Sequence, residues 1–462
     1  MSEAHGSTSR AGRLLGSVLP SIVVAVALVG CASSDVPSAS ARPATPTGST
    51  QASTPAASNA ATASASASPS ERAAVWLDAG DLREPRRATN VALVGGDEVL
   101  IVGSNFETTW NYTCGATTNG SDSVEIGDPH ATVWEPTTSL PSLRDAPAVV
   151  GLADGRALLT GGAAGEDVGW SAYSSTYLFD PTTRLWSRSG LMNTARTHTG
   201  ATALLDGRVL VAGGLFMDRA SEDRAQVLDS GELWDPRSGA WVRTRPLAGP
   251  RFKASAVTLT DGRVLIVGGS QSRESDPIPL GSTEIYDPPS DRWSSAGTLA
   301  VARRGFALVA LPDGGALVVG GLGGVGRAQS ERVATVERFD AATKEWSRVQ
   351  DLPYPVVGAS AIRLADGRVL VAGGSVRPPE LLDAETGTYV SGLTADALLF
   401  DPRTGRWTAT TPMPIPRADA SAVVLSDGSV VLVGGSAAEG EPNSTPGCSD
   451  PQPEAVRYVP GS

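Results

Sequence analysis

Residues 364–374 read LADGRVLVAGG, and the chain nearly repeats the phrase three more times: LLDGRVLVAGG at 204–214, LTDGRVLIVGG at 259–269 and LSDGSVVLVGG at 425–435. Each copy is an apolar run, an Asp-Gly pair, a second apolar run and a glycine doublet. Asp-Gly between apolar runs predicts a β-hairpin, because a type I′ turn needs left-handed backbone at both central residues. The pairs are Asp154-Gly155, Asp206-Gly207, Asp261-Gly262, Asp313-Gly314, Asp366-Gly367 and Asp427-Gly428, with Gly96-Asp97 in the first copy. The unbroken apolar second run, VLIV at 264–267 for example, predicts a strand covered on both faces.

A variable stretch follows each doublet, and then a third apolar run ending in Asp, usually Asp-Pro, as in STEIYDP at 282–288. Six residues after that Asp stands a tryptophan that begins a fourth strand: Asp128/Trp134, Asp180/Trp186, Asp235/Trp241, Asp287/Trp293, Asp340/Trp346 and Asp401/Trp407. Ten residues after the Trp comes an arginine, at Arg144, Arg196, Arg251, Arg303 and Arg417, with Val356 the exception. Four short strands per 50–60 residues, repeated, predict the blades of a propeller. The glycine doublets, the aromatic-Asp-Pro and the Trp at fixed offset resemble the kelch repeat, of the superfamily that includes the central domain of galactose oxidase. The resemblance covers residues 73–460, with Gly127 departing from the pattern where other copies carry an aromatic.

Seven second strands end at Gly103, Gly162, Gly214, Gly269, Gly321, Gly374 and Gly435, but the seventh copy stops after AVRYVP (455–460) without its Trp strand. Trp76 lies ten residues before Arg86, the same offset as elsewhere. The expected fold is therefore an all-β, seven-bladed kelch-type propeller over residues 72–462, four antiparallel strands per blade. The N-terminal strand around Trp76 completes the last blade and removes its open edge.

The chain begins differently. Arg10 and Arg13 precede an apolar stretch from Leu14 to Gly30, the pattern of a secretory signal. It ends in Leu28-Val29-Gly30-Cys31, which resembles the lipobox of bacterial lipoproteins. That resemblance implies cleavage after residue 30, lipid on Cys31, and an extracytoplasmic protein anchored to a bacterial membrane. Residues 31–71 are then Cys31 and a Ser/Ala/Thr/Pro tether, too polar to bury a core; as a coil its forty residues would span about 35 Å. An exported chain meets an oxidising compartment. Cys114 and Cys448 both fall between strands two and three, in the first and seventh copies, and are expected to form a disulfide reinforcing closure.

The formal net charge of −12 argues against nucleic acid as partner. The head is expected to be monomeric, without cofactor or metal. Of the three histidines, His5 lies in the signal, and His130 and His198 are too few for a histidine-rich metal cluster. GLGGVG at 321–326 matches G-x-G-x-x-G but precedes no helix that would meet a pyrophosphate. The paired histidines and Cys-modified tyrosine of the copper-radical oxidases find no place.

Because strands alternate up and down, the two-to-three loops and the four-to-one connections share one face, where function usually sits. The loops carry Phe106, Trp110, Tyr112, Trp170, Tyr173 and Phe216, suited to stacking on a sugar ring or anchoring a peptide, or to packing the loops themselves. Arg86, Arg144, Arg196, Arg251, Arg303 and Arg417 fall on the same face. They form either a cationic collar for carboxylates or ties between blades, with Glu125, Glu232, Glu284 and Glu337 as partners. His198, two residues after Arg196, is expected at the channel mouth as the weak candidate for acid–base chemistry. Three functions follow: a tethered binding propeller recognising a glycan or protein; a carbohydrate-active enzyme such as the kelch-type sugar mutarotases or epimerases; or an architectural envelope protein.

Overall fold

The computed structural model describes residues 73–86, 90–103, 121–166, 169–218, 225–272, 278–323, 331–376, 392–436 and 452–461. All regular structure among them is β, organised as seven four-stranded antiparallel sheets with smaller two- and three-stranded sheets at one end. Sheet 4 shows the pattern: Ser255–Thr258, Val264–Val267, Ser282–Asp287 and Arg292–Thr298, paired in chain order. Sheet 7 is built from both ends of the head: Ser421–Val424, Val430–Val433, Gln452–Val459 and then Val75–Arg86, with Trp76 opposite Tyr458.

The first strands are Asn90–Val94, Ala148–Gly151, Gly200–Ala203, Ser255–Thr258, Ala307–Ala310, Ser360–Arg363 and Ser421–Val424, heading sheets 1 to 7. Each touches the next, and Ser421–Val424 touches Asn90–Val94. Apolar layers fill the spaces between consecutive sheets. Val257, Leu265 and Val267 of sheet 4 meet Leu308, Ala316 and Val318 of sheet 5; Val423, Val431 and Val433 of sheet 7 meet Val91, Val99 and Ile101 of sheet 1. The second strands are therefore covered on both faces: Val264, Leu265, Ile266 and Val267 are all fully buried, each contributing roughly 1.5–3 kcal/mol on burial.

The tryptophans close the seams. Five of them rest on an aromatic of the neighbouring strand, as in Tyr286–Trp293 (ring centroids 4.9 Å apart) and Trp76–Tyr458 (5.0 Å). Each seam tryptophan also donates its indole N–H into the preceding sheet or the segment leaving it: Trp134 to the Ala79 carbonyl at 2.7 Å, Trp186 to Thr138, Trp407 to Gln350, and Trp76 to the Thr411 carbonyl at 2.7 Å. Gly127 is explained by the same packing. A Cβ there would stand 2.3 Å from the Trp134 ring, which lies directly against the strand and is itself buried.

The Asp-Gly turns differ from the expected type I′. The Gly155 N–H bonds back to the Leu152 carbonyl at 3.0 Å and the Leu152 N–H to the Arg156 carbonyl at 2.8 Å. Only the glycine is left-handed (φ 83°); Asp154 is not. This is a type I turn followed by a glycine bulge. Asp154 Oδ1 instead accepts the Arg156 N–H at 3.1 Å, and Asp206, Asp261, Asp366 and Asp427 do the same two residues on.

Candidate functional site

The variable segments and the connections between sheets do share one end of the molecule. The residues after five of the recurring arginines pair with the residue after a glycine doublet: Asp145 with Ala163, Thr197 with Leu215, Phe252 with Ser270, Arg304 with Leu322 and Ala418 with Ser436. Several segments expected to be irregular form hairpins instead. Ala163–Glu166 pairs with Gly169–Ala172, and Leu215–Phe216 with Gln226–Val227. These hairpins are adjacent, joined by the Ala172 N–H on the Met217 carbonyl at 3.0 Å. Trp170 and Phe216, both half-buried, are thus brought to neighbouring positions. Tyr173 is not free for a ligand, since the Arg144 guanidinium stacks on its ring at 4.5 Å. Phe106, Trp110, Tyr112 and all three cysteines lie outside the described residues.

The six arginines are not a collar open to ligand; every one is at most 2% exposed. Each sends Nη1 to the carbonyl of the glycine seventeen residues later, as Arg86 to Gly103 at 2.8 Å, Arg196 to Gly213 at 2.8 Å and Arg303 to Gly320 at 3.0 Å. Four of them pair with the expected glutamates: Arg86–Glu125 at 3.0 Å, Arg196–Glu232 at 2.8 Å, Arg251–Glu284 at 2.7 Å and Arg303–Glu337. The glutamates in turn accept backbone N–H groups of the incoming connection. Glu232, for example, takes those of Asn193 and Thr194 at 2.7 and 2.9 Å. A buried charge persists only when paired and fully hydrogen-bonded, and this clamp meets both conditions while docking each connection onto the sheet it enters.

The remaining three sheets vary the clamp in register. In sheet 2, Tyr177 occupies the glutamate position, and Arg144 lies between the Tyr173 and Tyr177 rings. In sheet 6 both partners are gone together: Val356 replaces the arginine, Leu398 the glutamate, and the two share one apolar cluster. In sheet 7, Val456 stands at the glutamate position. Arg417 Nε and Nη2 are buried without a hydrogen-bond partner, and burial pulls the guanidinium down to about 10 despite Glu454 nearby.

A different group of side chains gathers where the connections enter the first strands. Two residues past six of the seven clamp positions the backbone is left-handed: Ala146 (φ 45°), His198 (52°), Lys253 (54°), Gly305 (61°), Gly358 (69°) and Asp419 (56°). Side chains seldom tolerate this conformation, and it marks places where surrounding structure imposes strain. Backbone bonds link these residues from sheet to sheet: His198 N–H to the Ala146 carbonyl at 3.4 Å, Lys253 N–H to the His198 carbonyl at 3.0 Å, Asp419 N–H to the Gly358 carbonyl at 2.7 Å. His198 and Lys253 thereby join Asp145 and Arg304, which sit one residue past their own clamp arginines.

The electrostatics of this group are unusual. Burial holds the His198 imidazole down to about 3, with Lys253 adding to the effect, so it is neutral at physiological pH and does not act as an acid there. Its Nδ1 lies 3.2 Å from Thr197 Oγ1. Burial raises Asp145 to about 7 against the opposing pull of Lys253. Burial, then the Arg304 charge, lowers Lys253 to about 7, with Asp145 opposing. Sequence reasoning found His198 but missed Asp145, Lys253 and Arg304. The available signal was their place one or two residues past the recurring arginine, and the rarity of lysine: Lys253 and Lys344 are the only two. Among the described residues, no three His, Cys, Asp or Glu side chains converge to hold a metal.

Comparison with known proteins agrees with this architecture. The kelch motif matches residues 251–300 and 303–353. The kelch-like protein terF of Aspergillus terreus is 26% identical over 296 residues, 63% of this chain and 61% of terF. Human Kelch-like protein 23 is 21% identical over 266 residues, 58% of this chain and 42% of its own length. The chain thus spans less than two thirds of these curated relatives. A fungal alcohol oxidase of the AA5 family, solved in complex with copper, superposes with a TM-score of 0.60 at 19% identity, covering 84% of this chain and 76% of the oxidase. That level of identity shows a shared fold alone. The motif matches, the relatives and the shared fold accord with an all-β architecture of kelch repeats.

Proposed function

We propose that the seven sheets are the blades of one closed ring, and that this ring is an extracytoplasmic interaction module. In this reading lipid on Cys31 and the tether over 31–71 hold it to a bacterial membrane. It recognises a glycan or protein through the end that carries the variable hairpins. One observation carries the reading. The buried arginine–glutamate clamps rigidify the connections at that end, while the adjacent hairpins present Trp170 and Phe216 only half-buried. A rigid scaffold with amphipathic aromatics on variable loops is how binding surfaces are commonly built.

The test is a glycan and cell-wall-fragment array probed with the head (residues 72–462), repeated with Trp170→Ala and Phe216→Ala. Binding that falls at least about tenfold in either variant fits loss of an aromatic anchor; binding that neither change alters removes the aromatic platform. Replacing Cys31 by Ser should move the full-length protein from the membrane to the soluble fraction.

A carbohydrate-active enzyme is the second reading. It is favoured by the buried Asp145 carboxyl near His198 and Lys253 at the entrances to the first strands.

A further inference from the structure

Four titratable or charged side chains enter from four consecutive connections: Asp145, His198, Lys253 and Arg304, leading into sheets 2 to 5. None belongs to the arginine clamps. Lys253 is half-buried and left-handed, its N–H fixed by the His198 carbonyl; a long side chain held in that backbone region costs about 1–2 kcal/mol relative to its ordinary conformations. Asp145 is 5% exposed, and its Oδ1 has no hydrogen-bond partner. The carboxyl and the amine feel each other's charge without forming an ion pair. Arg304, 4% exposed, adds a fixed positive charge beside the amine. The connections that carry Asp145 and Lys253 are joined through His198, whose N–H bonds the Ala146 carbonyl and whose carbonyl takes the Lys253 N–H, and a buried carboxyl with an unmet oxygen beside them is an arrangement that structural packing alone does not require.

We propose that Lys253 is the nucleophile of a carbonyl-capture site. It forms an imine with a small 2-oxo acid whose carboxylate lies in the field of Arg304, and Asp145 relays the protons. The inference is independent of the hairpin-face reading. The Lys253 nitrogen lone pair adds to the carbonyl carbon as the C=O π electrons pass to oxygen. Asp145, as the neutral acid, protonates that oxygen and, as the carboxylate, takes a proton from nitrogen. The C–O bond then breaks and the C=N bond forms. Both amine protons leave on the water released, so no oxidant or reductant is consumed. An amine is a nucleophile only when neutral, and a nearby cation and partial burial favour that form. Burial favours the neutral form of both Asp145 and Lys253, the forms in which the amine attacks and the acid donates its proton. His198, neutral throughout this range, adds no competing charge.

The sequence supplies its own control, because the other lysine, Lys344, stands on an outer turn with Nζ 3.2 Å from Ser294 Oγ. The full-length chain in detergent is treated with glyoxylate and borohydride at pH 7, digested, and mapped by mass spectrometry. Carboxymethylation of Lys253 should exceed that of Lys344 by at least about tenfold. The Lys253-to-Lys344 ratio should fall when uncharged glycolaldehyde replaces glyoxylate. Lys253→Arg, which keeps a cation, should lose the adduct with its unfolding midpoint unchanged, and Asp145→Asn should slow adduct formation by at least about tenfold. Equal labelling of the two lysines, or no adduct on Lys253, overturns the proposal. An Asp145→Asn rate equal to wild type overturns the role given to that residue. A failed glycan array leaves this experiment's outcome untouched.

Discussion

Replacing Glu232 by Leu tests the clamp where it is most completely formed. Arg196 and Glu232 are both fully buried. The substitution leaves a guanidinium without its carboxylate, which costs about 3–5 kcal/mol. It also frees the Asn193 and Thr194 N–H groups, at roughly 1 kcal/mol each. Arg196→Val strands the carboxylate instead, with a similar loss of about 3–5 kcal/mol. The double variant reproduces what sheet 6 already carries, Val356 with Leu398. It should lose only the backbone partnerships, about 2–3 kcal/mol in all. The two single losses sum to about 8–12 kcal/mol, so the coupling between the sites should be at least about 5 kcal/mol. Equilibrium urea denaturation of the four proteins measures it. Double-variant losses equal to the sum of the singles within about 0.5 kcal/mol, or single losses below about 1 kcal/mol as for an exposed pair, would refute the claim that these arginines are buried ties.

Val456→Glu supplies Arg417 with the carboxylate that sheet 7 lacks and should raise stability by about 1 kcal/mol, read as a higher urea midpoint. Gly127→Ala drives a methyl into the Trp134 ring and should cost about 1–3 kcal/mol, with a changed tryptophan emission. Lys253 has a folded value lowered to about 7, so the unfolded chain binds more protons between there and its ordinary range. Its contribution to stability therefore rises with pH above 7, at up to about 1.4 kcal/mol per unit. Lys253→Met should flatten that part of the pH–stability curve, and an unchanged curve would contradict the assignment. Non-reduced protein should show no reactive thiol at Cys114 or Cys448; two reactive thiols would refute the disulfide.

Much of the architecture was written in residue spacing. Trp76 announced its partner by lying ten residues before Arg86, and it does pair with Tyr458. The glutamates three residues before the strand-three Asp are the arginine partners because strand registry is fixed by period-two alternation. Gly127 looked like a defect and is a contact, visible only once the Trp134 ring is placed. The turn type escaped because Asp-Gly fits both a type I′ turn and a type I turn with a glycine bulge, and hydrogen bonding decides between them. Asp145, Lys253 and Arg304 escaped for another reason. They lie 51–159 residues apart in the sequence and come together only because consecutive sheets deliver their connections to one place.

The central claim is that one sheet contains both ends of the head. Leu77 stands opposite Arg457 in that sheet, and opposed Cα atoms lie about 4.5–5.5 Å apart, within the span of a disulfide. In a chain with Cys31, Cys114 and Cys448 changed to Ser, Leu77→Cys with Arg457→Cys should form an intramolecular disulfide nearly completely under mild oxidation. Two thiols that stay reduced, or that bond only between molecules, would contradict it.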